Sequence, residues 1–224
     1  MIFQIILPIL ICFIPVIFCF LIFKKFEIKA IHLFAAIMLG LVAILPISFL
    51  QFWIPTPKTI SINPVIHSLL KSLIIFGLIE EAFKALLIWP LPGKSEEKPL
   101  KFMLLSFMFG ISLGCFESVV YFLDKLQIAY SRGGTILYLQ IFIRLFSSDV
   151  IHMTCAGLGG LFVYTAVNKK PKFQFFIYAF FLHGMYDFFA AFQNNLRWFA
   201  IPVILLAIIE CRIKYTALVP SEED

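Results

Sequence analysis

Three ionisable side chains lie within five residues of one apolar stretch: Glu80, Glu81 and Lys84. The stretch runs from Pro64 to Trp89 and is otherwise long and apolar enough to cross a bilayer. A charge at the centre of a membrane helix costs about 2.5–3.5 kcal/mol on insertion scales, so such residues usually face a bundle interior and have a function there. Helical spacing places Lys84 between the two carboxylates, where it should neutralise one and leave the other available.

A second acidic residue, Glu117, lies in a later apolar stretch. Small residues recur there every fourth position, a pattern that lets another helix approach closely, so Glu117 is expected to face the bundle. Tyr121, one turn further on, is a candidate hydrogen-bond donor to Glu117. The small residues of this stripe are Ser106, Gly110, Gly114 and Ser118.

Two histidines follow in separate apolar stretches. His152 lies on another packing stripe, and Asp149 three residues earlier is interpreted as a supporting residue that orients it. His183 and Asp187 are four residues apart, hence on one helix face. Arg144 is expected to extend to the external membrane interface. The second stripe comprises Ser148, His152, Ala156 and Gly160.

The balance of charge inside the predicted spans indicates acid–base chemistry. Among the candidate site residues and Arg144, five acids and two bases, Lys84 and Arg144, leave three excess negative charges while His152 and His183 are neutral. In a low dielectric some carboxylates should therefore bind protons, pair with a protonated histidine or bind a metal cation. A carboxyl group beside an imidazole suits general acid–base catalysis. For zinc, the candidate ligands are His152, His183 and Glu81, although the H-E-x-x-H spacing is lacking.

Composition determines where this chemistry takes place. Of the 224 residues, 62% are hydrophobic and 14% charged, which is too apolar for a soluble domain. The sequence therefore predicts an all-α polytopic membrane protein. The net charge of +5 arises in short loops between apolar stretches, so topology explains it and no nucleic-acid partner is expected. The five cysteines show no CxxC spacing and are interpreted as packing residues.

Seven apolar stretches predict a bundle of about seven transmembrane helices. Lys and Arg are more frequent in the loops on the C-terminal side, which predicts an external N-terminus and a cytoplasmic C-terminus. We expect one transmembrane domain with two peripheral spans (1–63), a four-span catalytic core (64–192), and a last span with a cytoplasmic tail (193–224). The predicted spans are Ile2–Phe23, Ile31–Trp53, Pro64–Trp89, Phe102–Leu123, Thr135–Val167, Phe173–Phe192 and Trp198–Ile213.

The polar motifs resemble those of the PrsW family of integral-membrane proteases, relatives of the CAAX prenyl endopeptidases and bacteriocin-immunity proteins. The resemblance covers about Pro64 to Phe192, with the four motifs in order on four consecutive spans. Glu117 favours the PrsW branch, because the CAAX-type branch often has His in that motif. The motifs are Glu80-Glu81-x-x-Lys84, Gly110-x-x-x-Gly114-Cys115-Phe116-Glu117 with Tyr121, His152 before a Gly-rich turn, and His183-Gly-Met-Tyr-Asp187.

This resemblance implies hydrolysis of a peptide bond in a single-span membrane protein, such as a membrane-anchored anti-sigma factor. It also implies a bacterial inner-membrane location and contact with the lipid bilayer. No cofactor is required in this version. The implied roles are water activation by Glu80 or Glu81 with His152, oxyanion stabilisation or carbonyl orientation by His183 with Asp187, tuning of the carboxylates by Lys84, and assistance or binding by Glu117.

Alternative functions use the same residues. A zinc-dependent membrane metalloprotease and a CAAX-type prenyl-protein endopeptidase are the enzymatic alternatives. A non-catalytic scaffold or immunity-type protein would keep the polar cluster for folding only. A transporter or proton relay also uses buried Glu, Asp and His residues, but the sequence shows no inverted repeat.

Overall fold

The computed structural model describes residues 2–53, 63–94, 99–132 and 135–219, and every regular element in these ranges is a helix. The prediction of an all-α membrane protein is confirmed. Residues 54–62, between the second and third predicted spans, and the end of the tail lie outside the described residues. The α-helices are α1 (Ile2–Cys12), α2 (Ile14–Lys24), α3 (Ala30–Trp53), α4 (Pro64–Lys71), α5 (Glu80–Ile88), α6 (Leu100–Arg132), α7 (Thr135–Phe146), α8 (Ser148–Val167), α9 (Phe173–Ala190) and α10 (Ala200–Thr216), with a π-helix at Ser72–Ile79 and a 3₁₀-helix at Asn195–Phe199.

Four helical stretches of the described residues are long and apolar enough to cross a membrane. The other predicted spans are also helical, but the third is divided among α4, the π-helix and α5, while α9 and α10 have 18 and 17 residues. Many large apolar side chains are exposed on the outer faces, as lipid contact requires. The four long stretches are Ile5–Lys24, Ala30–Leu50, Leu100–Lys125 and Tyr138–Val167.

Two predicted spans are interrupted where single helices were expected. The first breaks at Phe13, just before Pro15, whose ring has no N–H and clashes with the carbonyl of Ile11 in a continuous helix. The fifth breaks at Ser147, whose φ of −124° and ψ of −76° are not helical. By contrast, α3 continues through Pro46. The break at Ser147 matters most, because it lets α7 and α8 reach the same cluster from different directions.

The third predicted span changes its helical form just before the carboxylate pair. It begins as expected, with the Asn63 side chain accepting a 2.9 Å hydrogen bond from the Val65 N–H. The π-helix then ends one residue before Glu80. Here the chain passes close to α9, since a Cβ added to Gly184 would lie 2.8 Å from the Cα of Leu73. Such π-helical turns are frequent at functional sites.

Helices α6 and α8 pack against each other along their two small-residue stripes, each of which the sequence predicts to be a packing face. A Cβ added to Gly114 would lie 2.9 Å from the Cα of Asp149 and 3.2 Å from the His152 ring. Backbones this close require glycine at the point of contact. The close approach places Glu117 of α6 directly beside His152 of α8.

Candidate active site

The centre of the polar cluster is the fully buried Lys84 of α5. Its Nζ lies 2.7 Å from Glu81 Oε1, 3.0 Å from Glu80 Oε1 and 3.0 Å from His152 Nδ1. Lys84 therefore contacts both carboxylates, whereas the sequence predicted that it neutralises one and leaves the other available. One ammonium group carries a single positive charge, so it offsets only part of the charge of two adjacent carboxylates in an apolar bundle.

His152 connects the carboxylates of two helices. Its Nδ1 lies 3.1 Å from Glu80 Oε1, and its Nε2 lies 2.5 Å from Glu117 Oε2. A carboxylate only accepts hydrogen bonds, so the short contact with Glu117 places a shared proton between Nε2 and the carboxylate. Nδ1 can donate to Glu80 or accept from Lys84. The ring is thus positioned to take up and return a proton between α5 and α6.

His183 lies near both of the α5 carboxylates. Its Nδ1 lies 2.7 Å from Glu81 Oε1, while its Nε2 lies 3.8 Å from Glu80 Oε1 and 3.5 Å from Asp187 Oδ2. The two imidazole rings are 4.8 Å apart and nearly perpendicular. The structure therefore brings His183 and Asp187 together on one face of α9, as their spacing predicts, and adds them to the same cluster.

Arg144 belongs to this cluster, so its predicted position at the external interface is wrong. Its Nη2 lies 3.2 Å from Glu117 Oε1, and its guanidinium donates to Ser118 Oγ at 3.2 Å and Ser148 Oγ at 3.0 Å. The break at Ser147 directs the end of α7 into the bundle. The charge count of the sequence was a signal for this position of Arg144, because three excess negative charges favour contact with every available cation.

Two supporting residues occupy positions different from those expected. Asp149 accepts hydrogen bonds from Ser118 Oγ at 2.9 Å and Cys115 Sγ at 3.4 Å, so its described contacts join α8 to α6 and do not orient His152. The Tyr121 ring lies 4.7 Å from the Arg144 guanidinium, a cation–π contact. In the described structure Glu117 pairs with His152 and Arg144, not with Tyr121 as expected.

The residues present suit a metal ion in their chemical type. Glu80, His152 and His183 each offer one ligand atom, all within 4.8 Å of one another. Two imidazoles and a carboxylate form a ligand set of catalytic zinc enzymes. The predicted carboxylate ligand, Glu81, is replaced by Glu80, because Glu81 Oε1 is directed at Lys84 and His183. A bound ion would have to displace the Lys84 ammonium from Glu80 and His152.

The fold and the cluster together define an integral membrane protein with a buried acid–base site. The chain belongs to the PrsW family of intramembrane metalloproteases, whose sequence model matches residues 29–210. It is therefore a membrane peptidase by family. No curated protein and no solved structure matches the chain. The family match includes α3 and most of α10, and thus extends beyond the motif-bearing region 64–192.

Proposed function

We propose that this membrane peptidase hydrolyses a peptide bond in a membrane-anchored protein with a water molecule activated by Glu80 and His152. The observation that supports this most is the position of the His152 ring, whose two nitrogens lie 3.1 Å and 2.5 Å from carboxylate oxygens of different helices. Our proposed substrate is a single-span protein such as an anti-sigma factor, and our proposed location is the bacterial inner membrane.

Of the two adjacent carboxylates, Glu80 is the better candidate for the general base. Glu80 contacts His152 and lines an adjoining cleft, whereas the side chain of Glu81 is fully buried between Lys84 and His183. Glu80 would accept a proton from the attacking water, and His152 would pass a proton to the departing amine. Glu117 holds the opposite nitrogen of His152 during this transfer.

His183 is suited to stabilise the oxyanion that forms on the scissile carbonyl. With its Nδ1 2.7 Å from Glu81 Oε1, the ring places its Nε2 near Glu80 and Asp187, and the tautomer with a proton on Nε2 would present a donor there. Attack of the water oxygen moves the carbonyl π electrons onto oxygen, and a preorganised donor stabilises the resulting charge. Collapse of this intermediate breaks the C–N bond as the amine takes its proton from His152, which yields a carboxylic acid and an amine, and the proton held by Glu80 then returns to His152.

The family description includes a metal, and Glu80, His152 and His183 are the residues that would hold it. A bound zinc ion supplies Lewis acidity and lowers the pKa of its bound water. In that version Lys84 would move to Glu81 alone, and Glu117 would keep orienting the His152 ring. Elemental analysis of the purified protein tests this version. Substoichiometric metal, with cleavage that persists in a chelator, would exclude a catalytic ion.

The proposed hydrolysis can be tested by comparing membrane proteomes of cells that carry the wild type, His152→Ala or His67→Ala. His67 lies on α4 outside the cluster and serves as a matched histidine control. Uncleaved membrane-anchored proteins should accumulate in His152→Ala cells only. The new N-termini that cleavage creates in wild-type cells should be missing from His152→Ala cells. Equal processing in all three strains, with His152→Ala present in the membrane, would contradict the proposal.

The CAAX-type alternative can be tested with purified protein and a second kind of substrate. A prenylated C-terminal peptide should remain intact with purified protein, because our proposal requires an anchored polypeptide segment. Release of its last residues would favour the CAAX-type alternative. A stable complex with another membrane protein, unaffected by Glu80→Gln and without cleavage, would favour the scaffold alternative.

A further inference from the structure

The hydroxyl of Tyr186 is a buried polar group beside the cluster that the proposed chemistry does not use. Tyr186 lies on α9 between His183 and Asp187, and only 6% of its surface is exposed. It belongs to an apolar cluster with Ile151 of α8 and Leu182 of α9. A phenylalanine would fill the same space, so packing explains the ring and not the hydroxyl. A buried hydroxyl is costly to keep unless it makes a hydrogen bond.

The partner of this hydroxyl is the residue at which the fifth predicted span breaks. Tyr186 Oη donates a 3.1 Å hydrogen bond to Ser147 Oγ, which in turn donates a 2.8 Å bond to the Ile143 carbonyl. The Ser147 N–H donates to the Arg144 carbonyl, and the Ser147 carbonyl accepts from the Ile151 N–H. Ser147 therefore satisfies carbonyls in the last turn of α7 and begins α8, while Tyr186 holds it from α9.

The break joins two helices that pack on different neighbours. Helix α7 contributes Ile141 to an apolar cluster with Cys12 of α1 and residues of α6. Helix α8 contributes Leu158 to another cluster, with Ala179 of α9. Because different neighbours hold the two helices, the position of the end of α7 relative to the start of α8 depends on the backbone geometry at Ser147.

The break also lies between two residues that contact the same carboxylate. Arg144, three residues before Ser147, reaches Glu117 Oε1 at 3.2 Å and Ser148 Oγ at 3.0 Å. His152, five residues after Ser147, contacts the other oxygen of Glu117 through Nε2. A change at the break would therefore move Arg144 relative to His152, and Glu117 would lose its alignment with one of them.

We propose that the Tyr186 hydroxyl is a positioning group for the proposed proton transfer, because it fixes the break at Ser147. By fixing the break it holds Glu117 between Arg144 and His152. The same hydrogen bond joins α9 to the start of α8, and these are the two helices that carry the histidines of the cluster. The inference rests on the proposed function and adds a residue that acts on His152 through others.

Removal of the hydroxyl alone tests this role. Tyr186→Phe keeps the ring in its apolar surroundings and removes the donor to Ser147. On a substrate identified from His152→Ala membranes, we expect kcat to fall about fivefold with KM unchanged, since one hydrogen bond typically contributes that much. Tyr178→Phe is the matched control and should cleave at the wild-type rate. Tyr178 lies on the same helix, is partly buried, and contacts Lys214 through its ring, which the variant keeps.

Variants of Ser147 and Arg144 show whether the effect passes through the break. Ser147→Ala removes the acceptor and should lower kcat at least as much as Tyr186→Phe, whereas Ser147→Thr keeps a hydroxyl and should retain most of the rate. Adding Tyr186→Phe to Ser147→Ala or to Arg144→Gln should lower kcat no further, because the effects of residues that act through one contact do not add. Losses that multiply would overturn the proposed route.

The ring nitrogens of His152 provide a readout that does not depend on cleavage. In nitrogen NMR spectra of protein with isotope-labelled histidine, the His152 signals are those missing from His152→Ala. They should shift in Tyr186→Phe and stay unchanged in Tyr178→Phe, because the proton shared with Glu117 depends on the alignment of the two side chains. Unchanged His152 signals in Tyr186→Phe would overturn the inference. They would leave the proposed function intact, which fails if His152→Ala cells accumulate no substrate.

Discussion

The two halves of the polar cluster differ in their access to the surroundings. The open half consists of Glu80 and Glu117, which line the cleft, and His152 between them. The sealed half consists of Glu81, Lys84 and His183, whose side chains are at most 1% exposed. Both halves contain a carboxylate in contact with an imidazole, and the cleft of the described structure is lined by carboxylates of the open half.

This difference assigns separate tasks to residues of the same type. A general base must reach water and substrate, which favours Glu80. A buried ion pair must instead hold its charges in balance and position its neighbours, which describes Glu81 with Lys84. Adjacent residues of one helix can therefore have different functions because the helix turns them towards different surroundings.

The largest expected effect in the sealed half concerns stability. Lys84→Met removes the ammonium group shared by Glu80 and Glu81, and loss of one partner from a buried ion network costs about 3–5 kcal/mol. We expect a low yield of folded protein and a lower thermal unfolding temperature in detergent. Lys125→Met is the control, since its 2.6 Å pair with Asp124 is exposed to the surroundings and should contribute little to stability. Equal stability of both variants would contradict the role of the sealed half in stabilising the fold.

A smaller effect should follow from separating α6 and α8, which together carry the open half. Gly114→Ala places a methyl group 2.9 Å from the Cα of Asp149, and such overpacking costs about 1–3 kcal/mol. Gly159→Ala meets no atom within 4 Å and should stabilise α8 by about 0.5–1 kcal/mol. Thermal unfolding of the two variants measures the contrast. Opposite shifts are expected, and a stabilised Gly114→Ala variant would disprove the close contact.

The smallest effect should come from Arg144, which acts on the open half through Glu117. Arg144→Gln should lower kcat about tenfold and change KM little, since loss of an outer partner of a catalytic group typically costs 10–100-fold. The pH profile should shift as well, because Glu117 loses a neighbouring positive charge. Arg144→Lys should restore part of the rate. Arg197→Gln, in the 3₁₀-helix, is the matched control and should behave as wild type.

Periodicity alone predicted a large part of this arrangement. The small-residue stripes correctly predicted a packing face on α6 and another on α8, although not that the two faces meet, and the four-residue spacing of His183 and Asp187 correctly predicted their shared face. The position of Arg144 could not be predicted, because a serine inside an apolar run gives no signal that a helix will break at Ser147.

The division of labour between Glu80 and Glu81 was also beyond the sequence. A projection at about 100° per residue assumes a regular α-helix. The π-helix Ser72–Ile79 has a different number of residues per turn, so it rotates the following turn relative to the start of the span. Which carboxylate meets the cleft depends on that rotation and on the packing of α9 against the π-helix.

The comparison of Glu80→Gln with Glu81→Gln tests the central claim most directly. Both variants would be purified in detergent, shown to be folded, and assayed on one substrate identified from His152→Ala membranes. Glu80→Gln should reduce the rate of peptide-bond cleavage by about 10²–10⁴-fold, as loss of a general base does, whereas Glu81→Gln should retain measurable activity and lose stability. An active Glu80→Gln enzyme beside an inactive, folded Glu81→Gln enzyme would contradict the account.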